Sequence, residues 1–224
     1  MPSRPTPLVS QQIYHVFNRG IDGRITFSTK REYKRMINLI NYYRHVNRTV
    51  SYSRFLELTD DIERDLVDKF SDNLEAVDII SFCLMPNHFH LLLKQLTENG
   101  IQKFLGDLQN SYTRYFNIKN KRKGQLFLGQ FKAVLIESET QLLHVSRYIH
   151  LNPYSAEVVK SFEELLVYPW SSLPEYLTAD KSGICQKSEI LFPFKNNIEK
   201  YRQFLFDQKD YQRKLKSLDY LMLD

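Results

Sequence analysis

Residues 76–94 run AVDIISFCL, MPN, HFHLLLK, two apolar stretches of strand length separated by three residues that include a proline. Strand-length runs on either side of such a turn signal fold back on each other, so the chain must build a sheet around this segment. Two histidines, His88 and His90, stand inside the second run. Successive strand side chains alternate between faces, so both imidazoles emerge on one face and Phe89 on the other.

The flanking segments fit the same architecture. Gln11–Gly20 mixes β-branched and aromatic residues and stops at Asn18-Arg19-Gly20, a strand entering a turn. A Ser/Thr cap followed by Tyr33, Ile37, Ile40 and Tyr43 at helical spacing predicts a helix over 30–46. A second helix runs over 100–119, with Phe104, Leu108, Tyr112 and Tyr115 on one side, and LFLGQFKAVLIES after it forms a long strand or a hairpin. The capping box Ser138 to Gln141 opens a third helix, which Pro153 ends. Beyond residue 160 the pattern weakens into irregular packing around Trp170 and one more helix over 196–216. The element order predicts an α+β fold: a ferredoxin-like antiparallel sheet with helices packed on one face, plus a C-terminal extension. Residues 1–160 make the domain, with an acidic insertion at about 50–75, and 161–224 make the extension.

Charge is polarised along the chain. Residues 101–136 carry seven Lys/Arg against Asp107, while 56–75 carry eight acids against Arg64 and Lys69. The basic segment is a candidate phosphate-binding surface; solvated helix faces would explain either segment alone. Cys83 and Cys185 stand far apart, giving neither a disulfide framework nor a CxxC site, and Cys83 acts as a small hydrophobe. No apolar run is long enough to cross a bilayer and no secretory signal is visible, so the expected location is cytoplasmic.

Neutral imidazoles bind divalent metals, but two cannot complete a site. RYIHLNP supplies what is missing: Tyr148 and Asn152 are four apart and share one helix face. Asn152 offers a carbonyl oxygen as third ligand, and the open positions that remain suit Mg²⁺ or Mn²⁺. Tyr148, one turn away, is then a nucleophile, its weak phenol helped by a metal that polarises the scissile phosphate.

YHVFNRG, MPNHFHLLLK, SRYIHLNP and YPWSS, in this order over roughly residues 12–176, resemble the single-tyrosine transposases of the HUH type, in particular the REP-associated tyrosine transposases. The resemblance implies an RRM-like sheet and a DNA transposase, a single-strand endonuclease that cleaves and rejoins hairpin-bearing single-stranded DNA through a 5′-phosphotyrosine link and a free 3′-OH. It implies Tyr148 as nucleophile and His88 and His90 as metal ligands. Asn152 falls where relatives carry a polar ligand. A monomer or a homodimer is compatible with it.

Rival readings are a domesticated DNA- or RNA-binding module without cleavage activity, and metal-dependent hydrolysis by water. Tyr112 and Tyr115 compete as nucleophiles, but their spacing makes them core aromatics. His144 takes a surface or core role, His150 points to another side of its helix, and His15 on the neighbouring strand supports the histidine pair from behind. Arg19 ends its strand where polar groups meet DNA, and Arg114, Lys119, Lys121, Arg122 and Lys123 lie on hairpin phosphates. Discrimination between hairpins is placed in the N-terminal turn or the C-terminal extension.

Overall fold

The hairpin forms as its sequence dictates, closed by a two-residue loop. β2 (Val77–Met85) and β3 (His88–Gln95) pair antiparallel, with Met85 opposite His88. β1 (Ile13–Arg19) lies on the other side of β3, with Arg19 opposite His88, and β4 (Lys132–Leu135) pairs with β1. The sheet order is β2-β3-β1-β4, the antiparallel arrangement of a ferredoxin-like split βαβ fold. The computed structural model describes residues 7–46, 50–58, 74–178 and 183–207. Residues 59–73 of the acidic insertion lie outside these residues, as does the part of the expected last helix beyond residue 207.

Two helices cover one face of the sheet. α1 (Lys30–Tyr43) starts at a capping box in which the Thr29 side chain accepts from Glu32 N and the Glu32 carboxylate accepts from Thr29 N. It buries Tyr33, Met36, Leu39 and Ile40, and α2 (Gly100–Lys119) buries Ile101, Phe104, Leu105, Leu108 and Tyr112. These side chains meet Tyr14, Val16, Phe82, Leu84, Phe89, Leu91 and Leu93 in one core. Each such fully buried side chain contributes about 1.5–3 kcal/mol of transfer free energy.

The opposite face carries a third long helix, α3 (Glu139–Ser155), and the C-terminal segments. Ile80, Cys83, Met85 and Leu92 pack there against Leu142, Ile149, Leu151, Phe162, Leu165, Tyr176, Tyr201 and Leu205. Helices on one face therefore describes α1 and α2, and a second layer completes the sandwich. A β-bulge between Ile79 and Ser81 shifts the alternation of β2, which puts Cys83 and Met85 on the α3 side. The outer edge of β2 is closed by the Trp170 region: Leu84 N donates to Trp170 O at 2.8 Å and Ser172 N to Phe82 O at 2.9 Å.

Two expected boundaries change. LFLGQFKAVLIES yields only four strand residues, because Phe127 bridges Gly20 while 128–131 swing away, held by Asn18 Nδ2 on Leu128 O at 3.0 Å. Pro153 does not end its helix: α3 continues to Ser155. A proline removes its own amide donor and crowds the turn before it, yet the last turn closes with Ala156 N on Asn152 O at 2.9 Å and Ser155 Oγ on Leu151 O at 3.1 Å. No described helix is long and apolar enough to cross a membrane.

Candidate functional site

The turn of the hairpin is fixed from outside. Pro86 O accepts from Thr26 N at 2.8 Å and Phe27 N at 2.9 Å, and Asn87 O accepts from Gly20 N at 2.8 Å. Only glycine fits position 20, since a Cβ there would lie 2.3 Å from Arg24 O. The clamped turn presents Asn87, whose Oδ1 lies 2.6 Å from His88 Nδ1. An amide oxygen only accepts, so His88 carries its proton on Nδ1 and its Nε2 lone pair is basic.

His90 is two residues on, its ring 4.9 Å from that of His88 and perpendicular to it. Its Nδ1 lies 3.0 Å from Nε2 of His15, the buried neighbour on β1. When His90 donates across this contact, its own Nε2 is left with a lone pair. Phe17 and His90 face each other across β1 and β3 with ring centroids 5.7 Å apart. Tyr148 of α3 closes the group from above, edge-on to His90 at 5.5 Å and to His15 at 6.0 Å. Asn152, one turn further along α3, is fully buried. The structure thus gathers His88, His90 and Tyr148 at one end of the sheet, with His15 as the direct partner of His90.

The far side of α3 sets how the helix is turned about its axis. His150 is buried with Nδ1 2.7 Å from Tyr201 Oη and Nε2 2.7 Å from Ser172 Oγ. Ser172 Oγ in turn accepts from Phe82 N at 2.9 Å and donates to Phe82 O at 3.2 Å, and Ser146 Oγ lies 3.3 Å from Tyr201 Oη. One proton arrangement satisfies every group: Ser146 donates to Tyr201, Tyr201 to His150 Nδ1, His150 Nε2 to Ser172, and Ser172 to the β2 backbone. It requires a neutral imidazole, and burial pulls the His150 pKa down to about 3. His150 is therefore structural, as its place on another side of the helix implied.

The rival tyrosines separate in the same way. Tyr112 is buried with its hydroxyl on Thr26 O at 2.6 Å, and burial pushes its phenol far above the ordinary value. Tyr115 is half-buried against the same core, with Arg35 stacked 5.3 Å over its ring. His144 is exposed.

The expected phosphate contacts divide into two groups. Arg19, Arg114, Lys121 and Lys123 are exposed. Lys119 instead bonds Glu32 Oε1 at 2.7 Å and Thr29 Oγ1 at 3.2 Å, joining α2 to the α1 cap. Burial alone would raise the Glu32 pKa, but Lys119 and donors from Ser28 and Thr29 outweigh it and hold the carboxyl below its usual value. Arg122 closes its own loop, bonding Asn117 Oδ1 at 2.8 Å and the carbonyls of Gly124 and Gln125. Lys119 and Arg122 therefore serve the fold, because a flexible cation near a buried carboxylate or loop carbonyls binds those first.

Two residues at the site carried no individual sequence signal. Lys132 pairs with Phe17 across β1 and β4, its ammonium 5.5 Å above the Phe17 ring, so it flanks the histidines on the side away from β2. Asn87 reads as a turn residue, and only its position just before the His-x-His pair hints at its role. Among the described residues no group of three or more His, Cys, Asp or Glu is placed to hold a metal ion. Imidazole nitrogens and an amide oxygen are donors that a divalent cation accepts, and His88 and His90 stand side by side to offer two of them.

No curated protein matches the chain. Among solved structures, a REP-associated tyrosine transposase bound to a REP hairpin has the same fold, with a TM-score of 0.56 and 14% identity over 85% of this chain and 93% of that one. The sequence profile described as "Transposase IS200 like" matches residues 38–152, which include the hairpin, both histidines, Tyr148 and Asn152. That match spans just over half of the sequence, and the chain belongs to the IS200-like transposase family.

Proposed function

We propose that the protein cleaves and rejoins single-stranded DNA bearing a hairpin, with Tyr148 as the nucleophile. The observation that carries this reading is the Tyr148 ring standing edge-on to His90 at 5.5 Å, above a paired His-x-His row. The Tyr148 oxygen attacks the scissile phosphorus, a P–O(Tyr) bond forms, and the P–O3′ bond breaks. The departing 3′ oxygen takes up a proton, leaving a free 3′-OH and a 5′-phosphotyrosine. Attack by a 3′-OH on that ester reverses the step and releases the tyrosine.

His88 and His90 through Nε2, with Asn152, would hold Mg²⁺ or Mn²⁺. When bound, the cation supplies positive charge to the scissile phosphate. Asn87 holds the His88 tautomer that this binding requires, and His15 Nε2 is placed to accept from His90 Nδ1. Arg19 and Lys132 flank the pair across β1 and place further positive charge beside the phosphate path. Arg114, Lys121 and Lys123 contact the hairpin backbone.

The test is incubation of the protein with labelled single-stranded DNA from the flanks of its own gene and Mn²⁺ or Mg²⁺, followed by a denaturing gel. A denaturation-resistant protein–DNA adduct is expected, lost with EDTA and reduced by at least about 100-fold in His88→Ala and His90→Ala. Cleavage without an adduct would make water the nucleophile. Hairpin binding without cleavage would make the chain a binding module.

Lys132→Ala should lower the rate of adduct formation by about 10- to 100-fold at saturating DNA, the scale for one lost charge contact to a reacting phosphate. A single-turnover rate equal to wild type would remove Lys132 from the site.

A further inference from the structure

A groove of about 730 Å³ runs beside the sheet between α2 and residues 125–131, on the layer opposite Tyr148. Its size is in the range of pockets that take a compact organic ligand, roughly 300–1,000 Å³. Among the described residues its lining carries no charge: Gln102, Asn110, Thr113, Gln125 and Gln130 supply neutral hydrogen-bonding groups, while the Gln109 amide is already engaged by Asn18 and Leu105 O. Its base is built, since Asn18 Nδ2 bonds both Gln109 Oε1 at 2.6 Å and Leu128 O at 3.0 Å and so ties the two walls to β1.

At one end the groove passes into a smaller depression that shares Asn110 and Thr113 and adds the exposed cations Arg114 and Lys123, beside the loop-bound Arg122. Neutral amides give way to cations within one turn of α2. A phosphate would be drawn to the cationic end and has no countercharge in the groove. A nucleobase is neutral and has paired donors and acceptors along its edge, which Asn and Gln match with two bonds at once. The division of charge therefore fits a DNA strand that lays its backbone on the cations and its bases among the amides.

We infer that this groove is a base-reading site for single-stranded DNA, with Asn110 and Gln130 as its discriminating residues. The inference rests on the proposed DNA-cleaving function and deepens it. It places sequence discrimination on the α2 layer, in neither the N-terminal turn nor the C-terminal extension. Both residues are exposed, so truncating them leaves the core intact.

The experiment is selection from a pool of labelled single-stranded oligonucleotides, each with a fixed stem-loop and randomised unpaired positions. Wild type, Asn110→Ala, Gln130→Ala and Lys123→Ala are compared, with binding measured at two salt concentrations. Wild type should enrich a preferred sequence. Asn110→Ala and Gln130→Ala should each lose preference at one or two positions, by about 10-fold in relative affinity, while binding the unselected pool within about twofold of wild type. Lys123→Ala should weaken binding to all sequences alike and reduce the salt slope by about 1. If the amide variants enrich the same sequence as wild type with the same preference, the base-reading site is overturned while DNA binding stands. If wild type binds no member of the pool, the DNA-cleaving function falls, and this inference falls with it.

Discussion

Tyr148→Phe will leave hairpin DNA bound and abolish the covalent adduct. The substitution removes one oxygen and keeps the ring that packs edge-on against His15 and His90, so the floor of the site is undisturbed. Two rival side chains are engaged elsewhere. Tyr112 is buried with its hydroxyl bonded to Thr26 O, and His150 is enclosed between Ser172 and Tyr201. Loss of an essential nucleophile costs at least about 1,000-fold in the chemical step, so adduct formation should fall below detection. The check is paired: a gel-shift titration shows DNA affinity within about twofold of wild type, and a denaturing gel shows no adduct. An undiminished adduct in the Y148F variant would place the nucleophile elsewhere on the chain. Strand cleavage that survives without an adduct would point to water.

The second large effect is on stability. His150→Leu deletes the middle of a buried chain of hydrogen bonds that runs from the C-terminal helix α4 (Ile198–Phe206) to the backbone of β2. Both Tyr201 Oη and Ser172 Oγ lose a partner where no water competes, and each such loss costs about 1–3 kcal/mol. A total of about 2–5 kcal/mol corresponds to a fall in Tm of roughly 5–15 °C for a chain of this size. Tyr201→Phe should destabilise by a smaller amount. In the double variant the two losses should overlap, so that urea denaturation gives a sum smaller than the separate effects by about 1 kcal/mol or more. Strict additivity would mean that the residues do not form one network.

The parts of this architecture written as local periodicity were legible in the sequence. The hairpin declares itself because two apolar runs flank a proline turn, and His88, His90, Tyr148 and Asn152 are spaced by two on a strand and by four on a helix. What depends on partners distant in sequence was hidden. Lys132 approaches the histidines only through the β1–β4 register. Lys119 looks like a free cation until α1 delivers the buried Glu32 carboxylate to it. His150 finds its partners 22 and 51 residues away. Pro153 misleads for a different reason: the lost amide and the crowding of its ring disfavour the helix, but the bonds of the last turn carry it on to Ser155.

The sheet also acts as a partition. Tyr148 meets His15 and His90 on the α3 face of the sheet, although the turn before His88 is held by Thr26 and Phe27 of the other layer, whereas the amide groove belongs to α2 and the segment beside it. Among the described residues Trp170 and Cys185 pack against both apolar cores. Under the proposed function, substitutions in the groove layer can change target preference while leaving the proposed cleavage site on the other face intact.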